Sequence, residues 1–373
     1  MEPIRVLIID DSSVSRRLLS RSISGPDIEV VGSSSNGRLG LQKLERVGCD
    51  VVILDVEMPE MGGLDTLKAI RSRRPELPVI MFSSLTGRGA EVTLDALALG
   101  ANDYLAKPRA SGIEEATHSI ERDLVPKIKA LCPRGTMDLA PRSTLDLPRS
   151  PVPAKRVPPP VPPDASQASH ASHASRETPL LLIGSSTGGP NALAKVLASL
   201  PGDLGAPILI VQHMPPIFTR LLAERLNAKS ALEVREASHG ELIRPNVALV
   251  APGDFHMEVL VAAAGPTLRL HQGPLVNSCR PAVDVLFESA LAYPGPKLGV
   301  VLTGMGRDGL HGARRLKAAG NPLVVQDKET SVVWGMPGFI AKGGIADEVL
   351  PIDGIAASIR QRLLSQPHLA RTS

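Results

Sequence analysis

The 373-residue sequence has few aromatic residues, namely five phenylalanines, two tyrosines and one tryptophan, which make up 2% of the chain. Because nucleic-acid bases stack on aromatic side chains, this scarcity argues against a base-binding surface. The formal net charge of +3 is also too small to indicate nucleic-acid binding by itself. Hydrophobic residues make up 43% of the chain, so the predicted cores are large, aliphatic and rich in alanine.

Cysteine is scarce as well, and the three cysteines (Cys49, Cys132 and Cys279) are scattered. Their spacing matches neither a disulfide framework nor a metal site, which favours a reducing compartment. The apolar run near the first residue is too short for a signal peptide or a membrane span. We therefore expect a cytoplasmic protein that does not insert into membranes.

Residues 1–125 alternate short apolar runs with segments of helical spacing. This alternation predicts a doubly wound parallel sheet, an α/β fold. The expected strands are 4–9, 28–32, 51–54, 79–82 and 103–105, and the expected helices lie near 13–24, 37–47, 63–73, 88–99 and 113–130.

Polar residues follow four of these strands: Asp10 and Asp11 the first, Asp55 the third, Ser83 the fourth and Lys107 the fifth. The carboxyl ends of parallel strands meet at one edge of a sheet. Clustered carboxylates repel one another unless a hard cation such as Mg²⁺ joins them. A hydroxyl and an ammonium at the same edge suit a phosphoryl group on one carboxylate. Helix capping is an alternative role, most plainly for Asp11.

This segment resembles a response-regulator receiver domain over its whole length, which implies a flavodoxin-like fold. The resemblance implies that Asp55 accepts a phosphoryl group from a CheA-type histidine kinase. It also implies that Tyr104 is the switch aromatic and that the backbone carbonyl of Glu57 joins the carboxylates in holding Mg²⁺. One departure is Gly62, where the family usually has an acidic residue. The family pattern falls on Asp10, Asp11, Asp55, Ser83 and Lys107.

Residues 126–178 are rich in proline, serine and alanine and lack apolar periodicity. Such a segment has too little apolar surface to form a core, so a disordered linker is expected. His170 and His173 have the spacing of a metal pair, but an unstructured tract makes that interpretation weak.

Residues 179–373 again alternate strands and helices and predict a second doubly wound parallel sheet. The expected strands are 180–183, 208–212, 247–251, 300–303 and 323–325, and the expected helices are 190–200, 217–227, 281–292, 309–319 and 353–364.

The turn after the first of these strands reads G-S-S-T-G at residues 184–188, which fits the G-x-S-x-G nucleophile elbow. The glycines permit a sharp, strained turn that presents the hydroxyl of Ser186. The alternative is a glycine-rich turn that binds a phosphate at a helix N-terminus or merely connects two elements.

A serine nucleophile requires a base and an orienting carboxylate. His213 and Asp308 each follow a predicted strand, so both are expected on the same rim as Ser186. Each also has an alternative structural role. His213 could be a buried histidine that stabilises a turn, and Asp308 could be a helix N-cap. The order Ser, His, Asp excludes the α/β-hydrolase fold, which runs Ser, Asp, His. The Met305 amide lies in a Gly-Met-Gly turn suited to a developing oxyanion.

Two further polar turns are expected on this rim, one before His256 and one before Trp334. Core filling is the default role of the only tryptophan, and a wall of the substrate cleft is the alternative.

This half resembles the catalytic domain of the CheB chemotaxis protein-glutamate methylesterases. The resemblance implies Ser186 as nucleophile, His213 as general base and acid, Asp308 as orienter, and the regions of Thr187 and Met305 for substrate or oxyanion contacts. The matching stretches are G-S-S-T-G-G-P, Q-H-M-P-P, A-P-G-D-F-H-M, R-P-A-V-D-V-L-F, L-T-G-M-G-R-D-G and Q-D-K-E-T-S-V-V-W-G-M-P-G.

Two departures from the family pattern stand near these motifs. Ser185 occupies a position where alanine is common, so either serine is a conceivable nucleophile, although the motif register selects Ser186. Arg307 replaces a small polar residue and is expected to affect receptor preference.

Together the two resemblances imply a hydrolase that removes methyl esters from glutamates of chemoreceptors, deamidates glutamines, and is covered by its receiver until Asp55 is phosphorylated. The esterase step needs no cofactor. A receiver-controlled binding module without catalysis is the main alternative. A DNA-binding response regulator is a third, but no basic recognition helix follows the linker.

Overall fold

The computed structural model describes residues 2–108, 112–133 and 178–364. They form two α/β units, each built on a parallel sheet, as predicted. His170 and His173, and nearly all of the predicted linker, lie outside the described residues. Within the described ranges, no helix has both the length and the apolar character that a bilayer span requires.

The first unit has a five-stranded sheet in the order β2-β1-β3-β4-β5, with every neighbouring pair parallel. The central strands β1, β3 and β4 are almost entirely buried, because helices cover both faces of the sheet. The last helix continues past residue 125 and has Pro126 inside it. The elements are β1 (Ile4–Ile9), α1 (Ser13–Ile23), β2 (Ile28–Ser34), α2 (Gly37–Arg46), β3 (Val51–Asp55), α3 (Gly63–Arg73), β4 (Val79–Ser83), α4 (Gly87–Ala98), β5 (Asp103–Ala106) and α5 (Ile113–Leu131).

The second unit has a seven-stranded parallel sheet in the order β14-β13-β12-β6-β7-β9-β8 and a separate antiparallel hairpin, β10-β11. Its elements are β6 (Leu180–Ser185), α6 (Gly189–Ala198), β7 (Ile208–Gln212), α7 (Pro216–Lys229), β8 (Glu233–Glu236), β9 (Val247–Val250), β10 (His256–Ala262), β11 (Gly265–His271), α8 (Val283–Ser289), β12 (Lys297–Val301), α9 (Leu310–Ala318), β13 (Leu323–Gln326), α10 (Met336–Lys342), β14 (Glu348–Leu350) and α11 (Ile352–Leu364).

The structure adds elements that the hydrophobic pattern does not predict. The edge strands β8 and β14 are short and partly exposed, so they lack the continuous apolar run of a central strand. The hairpin β10-β11 lies outside the main sheet, and its outer half is exposed. Helix α10 has only seven residues, which is too short for a clear helical period.

Strand β6 lies at the centre of the second sheet, between β12 and β7. After β6, the chain adds β7, β8 and β9 on one side of it and later adds β12, β13 and β14 on the other. In open α/β sheets, ligands bind beyond the carboxyl ends of the strands where the order reverses. The ends of β6, β7 and β12 form such a point.

The two units pack directly on each other through helix α4 of the first and helices α6 and α7 of the second. One apolar cluster runs across the boundary and includes Leu97 on one side and Leu193 on the other. At its edge, the ring of Tyr104 stacks on Phe218, with centroids 4.6 Å apart and an interplanar angle of 19°. The boundary thus contains buried apolar side chains from both units.

Candidate active site and phosphoacceptor pocket

Ser186 lies between the end of β6 and the start of α6, at the carboxyl edge of the central strand. Its backbone N–H donates to the Thr303 carbonyl at 3.1 Å, which ties this turn to the end of β12. The left-handed residue of the turn is Gly188, with φ of 79°, whereas Ser186 itself is not left-handed. The expected elbow strain therefore falls on a glycine, where it costs little.

Ser185 and Ser186 have different surroundings. Ser185 is fully buried, and its hydroxyl donates to Oε1 of Gln212 at 2.7 Å. Ser186 is partly exposed, and its carbonyl accepts a 2.9 Å hydrogen bond from Nε2 of the same glutamine. Gln212 thus holds the two serines in register from the end of β7. This geometry favours Ser186 as the serine that a ligand reaches.

His213 and Asp308 form a buried pair on this rim. Nε2 of His213 lies 2.8 Å from Oδ2 of Asp308, and Asp308 is 2% exposed. Burial alone lowers the pKa of His213, but the hydrogen bonds to Asp308 and Cys279 raise it above its ordinary value. Burial conversely raises the pKa of Asp308, and its hydrogen-bond donors, His213 first, bring it below its ordinary value. The arrangement stabilises a charged imidazolium–carboxylate pair.

Four groups donate to the Asp308 carboxylate. Oδ2 accepts from His213 and from the Val283 backbone N–H at 2.6 Å. Oδ1 accepts from the Asn277 side chain at 2.8 Å and from the Asp284 backbone N–H at 3.2 Å. The carboxylate is therefore held by the loop before α8 and by the first residues of α8. The alternative role predicted for Asp308, an N-cap, is not observed, because Gly309 occupies the N-cap position of α9.

The second ring nitrogen of His213, Nδ1, faces Cys279, whose Sγ lies 3.5 Å away. Within the described residues, the hydroxyl of Ser186 forms no hydrogen bond, to His213 or to any other group. The structure therefore forms the His–Asp pair and leaves the serine hydroxyl disengaged from it.

Three backbone amides on the rim are available as donors. The N–H groups of Thr187, Gly188 and Met305 find no acceptor in the described part of the chain. Gly304 lies against Ser186, since a Cβ at Gly304 would stand 2.9 Å from the Ser186 Cβ. The Gly304–Met305 turn therefore passes close to the serine, and these amides are candidate donors to a negatively charged oxygen.

The side chain of Thr187 is occupied by the first unit. Its hydroxyl donates to Oδ2 of Asp103 at 2.6 Å, and both residues are 4% exposed. The same Asp103 oxygen accepts from Nζ of Lys127 at 2.6 Å. Strand β5 of the first unit thus reaches the residue that follows Ser186, so the first unit covers part of this rim.

Three more polar contacts cross the same boundary, and one of them runs from Nη2 of Arg225 to the Glu91 carbonyl at 2.9 Å. Nδ2 of Asn191 donates to the Leu97 carbonyl at 2.7 Å, and Nη2 of Arg225 lies 2.7 Å from Oδ1 of Asp95. The Arg225–Asp95 pair is partly exposed, unlike the Thr187–Asp103 contact.

The remaining predicted rim residues have structural contacts. His256 is 1% exposed, and its Nε2 lies 2.9 Å from the Pro274 carbonyl. The half-buried Trp334 donates from Nε1 to the Gln326 carbonyl at 2.9 Å, and its ring packs against Gly338. Arg307 is exposed beside Asp308.

In the first unit, Asp10 and Asp55 are each 1% exposed and face Lys107. Nζ of Lys107 lies 2.8 Å from Oδ2 of Asp55 and 3.5 Å from Oδ2 of Asp10. Burial raises the pKa of Asp55 to about 6, although the Lys107 ammonium opposes this shift. Two of the three carboxylates predicted to cluster thus face the Lys107 ammonium at the carboxyl ends of β1, β3 and β5, whereas Asp11 is exposed.

The same edge fits a hard divalent cation. Carboxylate oxygens of Asp10, Asp11 and Asp55 lie within 4.8 Å of one another, and an all-oxygen set of this kind suits Mg²⁺. The Glu57 N–H lies 3.4 Å from Oδ1 of Asp55, next to this set. The Ser83 hydroxyl donates to the Gly89 carbonyl at 3.1 Å, so it is bonded to α4 rather than to Asp55. At Gly62 a Cβ would meet nothing closer than 3.9 Å, so an acidic residue would fit there.

Several residues of the site were not singled out by the sequence patterns. Asp103, Gln212, Asn277 and Cys279 contact predicted site residues through side chains that come from other strands or loops. Gln212 carries a local signal, because it is a polar residue that ends an apolar strand directly before His213. The other three carry none.

The two units match two known families. A family profile described as response regulator receiver domain matches residues 6–117, and one described as CheB methylesterase matches residues 181–359. The crystal structure of the Thermotoga maritima CheB methylesterase catalytic domain is 42% identical, covers 49% of this chain and 97% of that chain, and has a TM-score of 0.48.

Curated relatives match along the whole chain. A protein-glutamate methylesterase/protein-glutamine glutaminase of Nocardioides sp. is 46% identical over 369 residues, which cover 98% of this chain and 97% of that protein. A protein of Caulobacter vibrioides with the same activities in its name is 46% identical, with 97% and 99% covered. These relatives share both units and their order.

Proposed function

The chain belongs to the CheB methylesterase family and carries a receiver domain, and from this membership we propose that it is a phosphorylation-activated hydrolase of glutamyl γ-methyl esters on chemoreceptors. The observation that carries the proposal is the buried His213–Asp308 pair on the same rim as the partly exposed Ser186. A positioned imidazole–carboxylate pair next to a serine is the requirement for acyl transfer through a covalent intermediate.

In the proposed reaction, the Ser186 oxygen attacks the ester carbonyl while His213 removes the hydroxyl proton. Asp308 holds Nε2, so Nδ1 is the nitrogen that accepts this proton. The tetrahedral intermediate collapses to an acyl-enzyme, and the proton leaves with methoxide as methanol. Water, deprotonated by the same histidine, then releases the glutamate carboxylate. Rotation of the Ser186 side chain engages Nδ1 when the substrate displaces the Cys279 contact.

The amides of Thr187 and Met305 serve as the oxyanion hole in this reaction, since neither has an acceptor among the residues that the structure describes. A glutamine side chain presents the same carbonyl with an amine leaving group. We therefore include glutamine deamidation as a second reaction of the same site.

The receiver is proposed to inhibit the hydrolase until Asp55 is phosphorylated by a CheA-type histidine kinase. The support is that β5 places Asp103 on Thr187 and Tyr104 on Phe218. Lys107 pairs with Asp55 and lies three residues after Tyr104, so phosphorylation changes the charge balance next to the interface. Asp10, Asp11, Asp55 and the Glu57 carbonyl would hold Mg²⁺, which would supply the positive charge that phosphoryl transfer to a carboxylate requires. A cytoplasmic location is part of this proposal, because it requires access to the kinase and to the receptor segments that carry the methyl esters.

The decisive test measures methanol release from receptor fragments that carry γ-methyl esters. Ser186→Ala is expected to abolish release while phosphorylation of Asp55 by acetyl phosphate continues. Ser185→Ala is the matched control and is expected to retain most activity, because its hydroxyl is buried on Gln212. Loss of activity in the Ser185 variant alone would contradict the assignment.

A second measurement separates a hydrolase from a receptor-binding module. A fluorophosphonate probe is expected to label Ser186 in the wild type and not in Ser186→Ala. Deletion of residues 1–178 is expected to raise the basal rate of methanol release. An unlabelled wild-type protein, or a basal rate that truncation leaves unchanged, would contradict catalysis and receiver inhibition respectively.

A further inference from the structure

A tight turn with exposed central residues lies against the His213–Asp308 pair. It spans residues 276–279, and its ends exchange backbone hydrogen bonds: Val276 N–H to Cys279 carbonyl at 3.1 Å, and the reverse at 2.9 Å. Both central residues are left-handed, with φ of 50° at Asn277 and 63° at Ser278. Two consecutive positive φ values define a type I′ turn, in which asparagine is one of the favoured residues.

The side chain of this turn's first central residue bridges two carboxylates. Nδ2 of Asn277 donates to Oδ1 of Asp308 and to Oδ2 of Asp284, each at 2.8 Å. Both carboxylates are buried, at 2% and 6% exposure. Two buried like charges repel each other, and the two hydrogens of the Asn277 amide stand between them.

The two oxygens of Asp308 are held unequally. Oδ2 accepts two short hydrogen bonds, from His213 and from the Val283 N–H. Oδ1 accepts one short hydrogen bond, from Asn277, and a longer one of 3.2 Å from the Asp284 N–H. Oδ1 therefore depends mainly on Asn277. Without the Asn277 amide, repulsion from Asp284 favours rotation of the Asp308 carboxylate. That rotation would move Oδ2 of Asp308 out of line with Nε2 of His213.

We propose that Asn277 is a positioning residue for the hydrolase reaction, one that fixes the Asp308 carboxylate so that it orients His213 toward the serine. This inference rests on the proposed function of the site. The side-chain amide of Asn277 donates to Asp308 and Asp284, so Asn277 acts on the reaction through the Asp308 carboxylate. The left-handed turn at residues 276–279 fixes the position of the Asn277 amide. The turn therefore both reverses the chain and positions the donor to Asp308.

The test uses full-length protein activated with acetyl phosphate and Mg²⁺. Asn277→Gly keeps the left-handed turn and removes the amide. Asn277→Asp keeps the turn and the size of the side chain but replaces the donor with an acceptor beside Asp308 and Asp284. Ser278→Gly is the matched control, since it alters the same turn without changing the amide. Circular dichroism melting shows that each variant is folded.

Two readouts are compared: the rate of fluorophosphonate labelling of Ser186, and kcat and KM for methanol release from methyl-esterified receptor fragments. Loss of a hydrogen bond to a charged group predicts an approximately 10- to 100-fold fall in labelling rate and kcat for Asn277→Gly. Asn277→Asp is expected to fall at least as far, with KM unchanged in both. Ser278→Gly is expected to stay within about threefold of the wild type.

A kcat and labelling rate that Asn277→Gly leaves at wild-type level would overturn the inference. An equal fall in Ser278→Gly would also overturn it, because the turn rather than the amide would then matter, and so would a change confined to KM. If wild-type protein labels rapidly but releases no methanol, the proposed substrate is wrong. The labelling rates of the variants still decide the role of Asn277 in that case.

Discussion

Thr187 of the hydrolase domain donates a 2.6 Å hydrogen bond to Asp103 of the receiver, across the boundary between the two domains. Thr187 directly follows the candidate nucleophile, and Asp103 directly precedes Tyr104. One buried contact thus connects the receiver's last strand with the active-site rim. Lys127 donates to the same oxygen of Asp103 at 2.6 Å, so two side chains hold this carboxylate.

Removing this contact is expected to activate the enzyme without phosphorylation. Asp103→Ala leaves the Thr187 hydroxyl and the Lys127 ammonium without their acceptor in the closed state. A lost hydrogen bond to a charged group is worth about 1.5–3 kcal/mol, so the fraction of open protein rises about 10- to 100-fold. The measurement is basal methanol release without a phosphodonor, with Asp55 phosphorylation as the check on receiver folding.

The matched control is Asp95→Ala, which removes the exposed ion pair with Arg225 at the same boundary. Exposed pairs contribute about 0–1 kcal/mol, so basal activity should rise less than about fivefold. An equal activation by both variants would mean that Asp103 has no special part in closure.

The stacked pair Tyr104–Phe218 is expected to contribute through its rings and not through the tyrosine hydroxyl. That hydroxyl has no hydrogen-bond partner in residues 2–108, 112–133 and 178–364. Aromatic pairs are worth about 0.5–1.5 kcal/mol beyond their buried area. Tyr104→Ala should therefore raise basal methanol release at least threefold, and Tyr104→Phe should leave it unchanged. Activation by the phenylalanine variant would instead assign the effect to the hydroxyl.

The pH dependence of serine labelling is expected to report the His213–Asp308 pair. Hydrogen bonding to Asp308 raises the pKa of His213 against the effect of burial, and the ring must be neutral to accept a proton. The wild-type labelling rate should therefore fall on the acid side, with a midpoint above 6.5, the ordinary value for histidine. Asp308→Asn removes the partner that raises this pKa.

The midpoint should then move to lower pH in Asp308→Asn, while the maximal rate falls by about 10⁴-fold, as for the same change in other serine triads. The profile is measured with a fluorophosphonate from pH 5 to pH 11, because the pKa of His213 is raised to about 10. A midpoint that stays in place would show that His213 is not the base.

Metal removal is expected to abolish activation and spare basal catalysis. The carboxylates of Asp10, Asp11 and Asp55 form the candidate Mg²⁺ site, far in sequence from Ser186. With EDTA present, acetyl phosphate should no longer phosphorylate Asp55 or stimulate methanol release, and Asp55→Asn should behave in the same way with Mg²⁺ present. Fluorophosphonate labelling of the unstimulated protein should be identical in all samples. A fall in that basal labelling with EDTA would place a metal in the hydrolase site.

The alternation of apolar runs and helical segments was sufficient to predict both parallel sheets, because a strand buried on two faces must be apolar throughout. The central strands β1, β3, β6, β7 and β12 were located in this way. The edge strands β8 and β14 were missed, since one side of an edge strand meets solvent and its sequence is mixed.

Ser186, His213 and Asp308 could be predicted as neighbours because each follows a parallel strand, and the carboxyl ends of such strands share an edge. The hydrogen bonds that hold these residues in place could not be predicted from the sequence. Asn277, which binds Asp308, comes from the loop that follows the β10-β11 hairpin in the sequence. Asp103, which binds Thr187, comes from the other domain.

The sequence alone therefore determined the two folds, the order of the domains and the residues present at each rim, because hydrophobic periodicity and strand–turn punctuation are local properties of a chain. Three contacts were decided only by the tertiary structure. Asp308 binds Nε2 rather than Nδ1 of His213, the buried Ser185 donates to Gln212, and the receiver contacts Thr187. Those contacts depend on the packing of distant segments, and residue spacing along the chain does not specify them.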